Sequence, residues 1–198
     1  MKKPLPNPVG INTNKMIETV KQKEAKAFEI LKGDFNLSNI MQAPKLEKVT
    51  LSVGIGKIKD DKRKVELIED RLIKISGQKP VTAKAKKSIA TFKAREGDKS
   101  GLKVTLRGKR MYEFLDKYIN ISIPRTKDFR GVHTKSVDGM GNLTMGIKEH
   151  IIFPETGDEE IRDIFGLSVT INTTAKDPKL AKAFLEVIGI PFKKEETK

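Results

Sequence analysis

From Leu46 to Ile55 the chain alternates, with Val49, Leu51, Val53 and Ile55 on one side of an extended backbone and Lys48, Thr50, Ser52 and Gly54 on the other. A period of two belongs to a β-strand. The alternation recurs four times. Residues 81–85 place Val81, Ala83 and Ala85 inward with Thr82 and Lys84 outward, and residues 102–107 place Leu102, Val104 and Leu106 inward with Lys103, Thr105 and Arg107 outward. Leu143 to Glu149 and Leu167 to Thr173 repeat the pattern, the latter turning Ser168, Thr170 and Asn172 out. Strands that are polar along one side do not suit a parallel sheet covered on both faces. They suit an antiparallel sheet with one face packed and the other wet.

Four segments carry helical spacing instead. The first runs from a cap at Asn12 or Thr13 to about Lys32, with Met16, Ile17, Val20, Ala27, Phe28 and Leu31 inward and Gly33 as its stop. The second spans Lys62 to Ser76 (Val65, Ile68, Leu72 and Ile75 inward) and leaves through Gly77. A third starts near Lys109 with Met111, Phe114, Leu115 and Tyr118 inward, and Pro124 bars its continuation. The last has Asp177 as cap, Pro178 in its first turn, Leu180, Phe184, Val187 and Ile188 inward, and Gly189 at its end. The order α, β, α, β, β, α, β, β, α predicts an α+β fold, an antiparallel sheet with helices on one face. Its length of 198 residues suits one domain, 1–198, with a proline-rich tail at 1–11 and a charged tail at 193–198.

Charge then narrows the function. The chain carries +14, and the 32 residues from Lys79 to Arg110 hold eleven Lys or Arg against only Glu96 and Asp98. The middle of that stretch, Ala83 to Gly101, lacks apolar periodicity, so it reads as a long basic loop joining two strands. Such a concentrated field serves polyanions, neutralising phosphates and releasing counterions. There is no cysteine, which excludes disulfides and thiolate chemistry. No apolar run reaches the roughly 20 residues of a membrane span, and the start, MKKPLPNPVG, has no apolar core of a signal peptide.

The open face follows from the alternation: Thr50, Ser52, Thr82, Lys84, Lys103, Thr105, Arg107, Thr144, Lys148, Ser168, Thr170 and Asn172. It holds hydroxyls, amides and cations but no ring. Sheets that grip single-stranded RNA stack bases on exposed Phe or Tyr. A ring-free hydroxyl and cation surface suits the phosphates, ribose hydroxyls and edges of a folded RNA.

Catalytic patterns are missing. His133 and His150, read as solvent-exposed, lack metal-ligand spacing. Gly54-Ile55-Gly56 starts a dinucleotide fingerprint but has Lys59 where the third glycine belongs, and neither Gly56-Lys57 nor Gly108-Lys109 has the upstream glycine of a phosphate loop. Ser100 and Lys103 match S-x-x-K without its partner motifs. No enzyme, cofactor, metal or small-molecule substrate is expected. A rival reading, a general basic protein that coats nucleic acid, is permitted by charge alone.

Several strings occur in an order that resembles a known family: AKKSIATFKAREG, LKVTLRGKRMYEFLDK, IPRTKDFRG, DGMGNLTMGIKEHIIFPE and TTAKDPKLAKAFLEVIGIPF. Together they resemble the bacterial large-subunit ribosomal protein L5 family over about residues 34–192. The resemblance implies a cytoplasmic, structural constituent of the large subunit that binds 5S rRNA and attaches it in the central protuberance. It further implies contacts with 23S rRNA, P-site tRNA, small-subunit protein S-thirteen and other 5S-binding large-subunit proteins, and none with a membrane.

Carried over by position, the family's RNA-contacting polar residues fall at Ser52, Gln78 and Thr105. Combined with the open face and the link before it, the expected rRNA surface comprises Asn39, Gln42, Lys45, Lys48, Thr50, Ser52, Gln78, Lys79, Thr82, Lys103, Thr105 and Arg107. The tRNA-facing loop corresponds to Lys84–Gly101, giving Lys84, Lys86, Lys87, Ser88, Lys93, Arg95 and Lys99, and a small-subunit contact is expected at Arg125, Lys127, Arg130 and Lys135. The loop is expected to be flexible alone and ordered when bound. The chain departs from the family where Ser52 replaces a usual asparagine, Thr91 a glycine, Asp98-Lys99-Ser100 a Met-Pro-Ile, and Met140 and Leu143 a common Arg and Tyr.

Overall fold

The computed structural model describes residues 18–58, 61–92, 94–127, 129–157 and 164–193. The expected helix start at Asn12 or Thr13, with Met16 and Ile17, lies outside these residues, as do the tail at 1–11, Lys93 and all of the tail at 193–198 but its first residue. Within them the first helix, α1, spans Val20–Phe35. Thr19 caps it: its side chain accepts from the Gln22 amide while Gln22 Oε1 accepts from the Thr19 amide at 2.9 Å. Gly33 does not end it. The helix continues to Phe35, whose ring packs against the core, and Asn36 closes it at φ 50°. Asparagine tolerates that left-handed turn almost as glycine does.

Strand β1, Leu46–Gly54, follows a short helical turn at Ile40–Gln42. Helix α2 spans Lys62–Ser76 and exits through Gly77 at φ 66°. Strands β2, Val81–Lys84, and β3, Lys99–Leu106, come next, then α3, Gly108–Lys117, which runs on into a wider π-type turn at Tyr118–Ser122. Strands β4, Leu143–Ile147, and β5, Leu167–Thr173, lead to α4, Pro178–Ile188, capped by Asp177.

The five strands lie in the order β2-β3-β1-β5-β4, and every pairing is antiparallel. Val49, Leu51, Val53, Leu102, Val104, Leu106, Val169 and Ile171 are all buried on one face, where the helices supply Ala27, Leu31, Leu72, Leu115, Phe184 and Leu185. Phe114, Tyr118 and Phe153 stack in this core with centroids 5.7–6.1 Å apart. Tyr112 Oη donates to Glu24 Oε2 at 2.7 Å, and Glu24 Oε1 accepts from the Leu46 amide at 3.3 Å, so one carboxylate ties α1 to both β1 and α3.

Three further readings are corrected. In β2 the faces are inverted: Val81 registers opposite Lys103 and is 70% exposed, while Thr82 registers opposite buried Leu102. Directly paired antiparallel residues share a face, so Val81 and Ala83 lie on the open side and Thr82 on the helix side. The stretch Ala83–Gly101 is not structureless. Ala85 N donates to Asp98 O, Gly97 N to Ala85 O, and Ile89 and Ala94 form a bridge, so an irregular hairpin leads into β3 at Lys99. Glu96-Gly97-Asp98, with Gly97 at φ 87°, supplies the turn chemistry behind it. Finally, His150 is fully buried, stacked on Phe165 with ring centroids 4.1 Å apart, its Nδ1 accepting from the Phe165 amide at 3.3 Å. His133 is exposed, as expected.

Candidate nucleic-acid interface

The alternation of β1, β3, β4 and β5 lays the open face out in rungs. Thr105, Thr50, Thr170 and Thr144 register across four strands, a continuous row of threonines. The next rung places Lys103, Ser52, Ser168 and Gly146 side by side, and Val81 extends it onto β2. On the other side of the threonines Lys48 pairs with Asn172. Among the described residues no helix covers this surface: Lys103 is exposed, and Thr50, Ser52, Thr105, Ser168 and Thr170 are half-buried between their neighbours. No aromatic residue lies in these rungs.

Several hydroxyls and amides are already oriented. Ser52 Oγ and Ser168 Oγ are 2.8 Å apart and Thr144 Oγ1 and Thr170 Oγ1 3.2 Å apart, each pair sharing a hydrogen bond. A hydroxyl that shares a hydrogen on one side still offers lone pairs on the other. Ser52 therefore has a partner on β5, so its shorter side chain is held in place within the face. Gln78 Nε2 donates to the Thr105 carbonyl at 3.4 Å, bringing two of the three carried-over residues together just before the start of β2.

The link before β1 is built for shape. Asn39 Oδ1 accepts from the Met41 amide at 3.0 Å, and Gln42 Oε1 accepts from the Ser38 amide at 2.9 Å and the Asn39 amide at 3.3 Å. Both side-chain oxygens thus hold the turn, which thrusts Ile40 and Met41 into solvent. The basic arm is organised likewise: Ser88 Oγ accepts from the Glu96 amide at 3.0 Å, and Asp98 Oδ2 from the Arg95 amide at 3.1 Å. Lys84, Lys86, Lys87, Arg95 and Lys99 are distributed along it, Lys84 registering against Lys99 across a bulge.

Some features were not read from the sequence. Glu47 lies 3.6 Å from Arg107 and 3.9 Å from Lys48, so a carboxylate shares the corner with two of the cations assigned to RNA. Glu69 lies 3.7 Å from Lys79. Phe92 is 76% exposed in the arm beside half-exposed Ile89, an apolar pair among lysines whose only signal was its lack of a periodic partner.

Arg125, Lys127, Arg130 and Lys135 belong to the segment that precedes the Asp138 turn. Asp138 Oδ1 accepts from the Met140 and Asn142 amides at 3.0 and 2.7 Å, and its Oδ2 from Asn142 Nδ2 at 3.0 Å. The hydrogen bonds from the Asn142 side chain and amide hold this carboxyl below the usual aspartate range. Asn142 Oδ1 then accepts from Asn172 Nδ2 at 3.1 Å, fastening the turn to the edge of the open face.

Comparison with known proteins gives this surface a context. A family model described as Ribosomal protein L5 matches residues 39–95, and one described as ribosomal L5P family C-terminus matches residues 99–192. The chain is 52% identical over 163 residues to large ribosomal subunit protein uL5 of Dichelobacter nodosus, covering 82% of this chain and 91% of that one. It is 49% identical over 175 residues to the uL5 of Mycoplasma mycoides subsp. mycoides, covering 88% and 97%. The chain belongs to the ribosomal protein uL5 family. Members are structural, RNA-binding constituents of the cytoplasmic large ribosomal subunit, and the family's role is 5S rRNA binding in the central protuberance. They are not enzymes. The 52% identity with the Nitrosomonas europaea protein extends over 159 residues, 80% of this chain and 89% of that one.

Proposed function

We propose that the whole chain acts as one unit in which the open sheet face and the rest of the molecule divide the labour of RNA binding. The face holds folded 5S rRNA. Thr50, Thr105 and Ser52 meet ribose hydroxyls and base edges, Lys103, Arg107, Lys48 and Lys79 meet phosphates, and Gln78 contributes from the rim. The turn carrying Asn39, Gln42 and Lys45 extends the contact past the start of β1. Thr82 drops out of this surface because its register turns it toward the helices.

The single observation that supports this reading is the uncovered, ring-free row Thr105–Thr50–Thr170–Thr144 with Lys103 in the next rung. Such a surface offers donors and acceptors without stacking platforms, which suits an RNA whose bases are already paired. The arm bearing Lys84, Lys86, Lys87, Ser88, Lys93, Arg95 and Lys99 projects from the opposite end of β3 to reach P-site tRNA, and Phe92 gives its tip an apolar contact. Arg125, Lys127, Arg130 and Lys135 face the small subunit through protein S-thirteen, and 23S rRNA with other 5S-binding proteins completes the neighbourhood.

Thr105→Val tests the face. The variant keeps the side chain's shape and removes its hydroxyl, and a buried polar partner left unpaired costs about 1–3 kcal/mol. Affinity for 5S rRNA at fixed salt is expected to fall accordingly, while thermal stability is unchanged. An affinity equal to that of the parent chain would remove Thr105 from the interface.

A further inference from the structure

Strand β1 loses its alternation at one point. A period of two continued back from Val49 would turn Glu47 toward the core and Leu46 toward solvent, yet Leu46 is buried and Glu47 exposed. The register against β5 gives the cause. Leu46 pairs with Thr173 and Lys48 with Asn172, so Glu47 is the extra residue of a β-bulge. The chain on both sides of it is fixed. Before the bulge, the Lys45 amide donates to Thr174 Oγ1 at 2.9 Å, and Glu24 Oε1 accepts from the Leu46 amide at 3.3 Å. Beyond it, Val49 pairs with Ile171 on one side and Leu106 on the other.

What the bulge delivers is a carboxylate beside two cations. Glu47 Oε1 lies 3.6 Å from Arg107 Nη1 and 3.9 Å from Lys48 Nζ. Both separations exceed hydrogen-bonding distance, and among the described residues this carboxylate accepts no hydrogen bond. About half of its side-chain surface is open to solvent. Exposed ion pairs do little for stability, so the arrangement is better explained by what it can bind. A carboxylate only accepts, so it repels a phosphate and takes a hydroxyl. The order cation, acceptor, cation matches the order phosphate, ribose hydroxyl, phosphate along an RNA strand. A-form RNA displays those hydroxyls in a wide, shallow minor groove. DNA offers the phosphates without the hydroxyl.

We infer that Glu47 selects RNA over DNA at this corner of the face, accepting a hydrogen bond from a ribose 2′-hydroxyl whose flanking phosphates meet Lys48 and Arg107. The inference rests on the reading of the open face as the 5S rRNA surface, and it adds a group that subtracts from general phosphate attraction. Against DNA the carboxylate only lowers the positive potential, with no bond in return. Phosphate contacts carry no information of this kind by themselves.

The test compares the full chain with Glu47→Ala, measuring affinity for 5S rRNA and for a DNA duplex of similar length over the same salt series. Affinity for 5S rRNA is expected to fall at least about threefold, because an acceptor is lost. DNA affinity is expected to rise by about threefold, its salt slope steepening by up to about 0.9 for each cation released. Should alanine disturb the bulge, a folding defect would lower both affinities and shift the urea midpoint. Glu47→Gln then decides, since it keeps the acceptor and drops the charge: it is expected to raise DNA affinity and leave that for 5S rRNA unchanged. Three outcomes would overturn the inference. They are equal rises for both nucleic acids, no change in either, or equal falls at an unchanged urea midpoint, which would set a shared base edge rather than a ribose against Glu47. A parent chain that binds DNA as well as 5S rRNA would remove the reading of the face too, whereas a parent preference that survives intact in Glu47→Ala removes this inference alone.

Discussion

At the scale of single residues, the Asp138–Asn142 turn shows how little freedom the margin of the open face has. Gly141 sits at φ 76°, and a Cβ there would lie 2.6 Å from the Ala175 carbonyl oxygen. Thr173 Oγ1 donates to the Gly141 carbonyl at 2.8 Å, so the turn cannot shift without breaking a buried bond. Gly141→Ala combines left-handed strain of about 1–2 kcal/mol with that clash, and a loss of at least about 2 kcal/mol is expected in urea denaturation. Gly139, with open space around it, is the control: Gly139→Ala is expected to stay within about 0.5 kcal/mol. Equal losses at both positions would show that the turn, rather than the approach to Ala175, sets the cost. Asp138-Gly139 and Gly141-Asn142 are turn-forming pairs that the sequence itself displays. The contact with Ala175 is not displayed there, because it joins positions far apart in the chain.

Elements show the same division. Helix α2 and strand β5 match their predicted spans because period, caps and flanking glycines agree there. Alternation alone misled in β2, where Val-Thr-Ala-Lys-Ala has little contrast and an edge strand has a neighbour on only one side to fix its face. The register against β3 decides instead, and it sends Val81 to the open side. A lone histidine carries no pattern, so the burial of His150 beneath Phe165 was equally invisible. The hydrogen bond from Tyr112 to Glu24 belongs to this scale, since it joins α3 to α1. Burial, with the Glu24 carboxylate second, pushes the Tyr112 phenol up to about 12 from its usual 10. The neutral form is favoured in the folded state, so its contribution is complete below pH 10 and lost as pH rises toward 12. Tyr112→Phe is expected to cost about 1 kcal/mol at neutral pH, with the gap from the parent chain closing across that alkaline window. A gap that stays constant there would mean that the phenol hydrogen bond is not its source. The arm between β2 and β3 makes a separate prediction: replacing Lys86, Lys87 and Lys93 with alanine spares 5S rRNA affinity and weakens P-site tRNA binding in assembled ribosomes. The opposite pattern would exchange the roles of arm and face.

Over the whole molecule, the net charge of +14 attracts RNA whatever its sequence, and in the proposed division of labour the sheet selects which RNA stays. A protein that merely coats nucleic acid would bind any duplex alike, its log affinity falling by about 0.9 per phosphate contact for each log unit of salt. The open face adds fixed hydroxyls and amides whose contribution does not depend on counterion release. Competition between 5S rRNA and an unrelated structured RNA of equal length, followed across a salt series, separates the two terms. The preference for 5S rRNA is expected to persist, or widen, as salt rises and the electrostatic part weakens for both. Equal affinities that fall in parallel at every salt concentration would contradict the account.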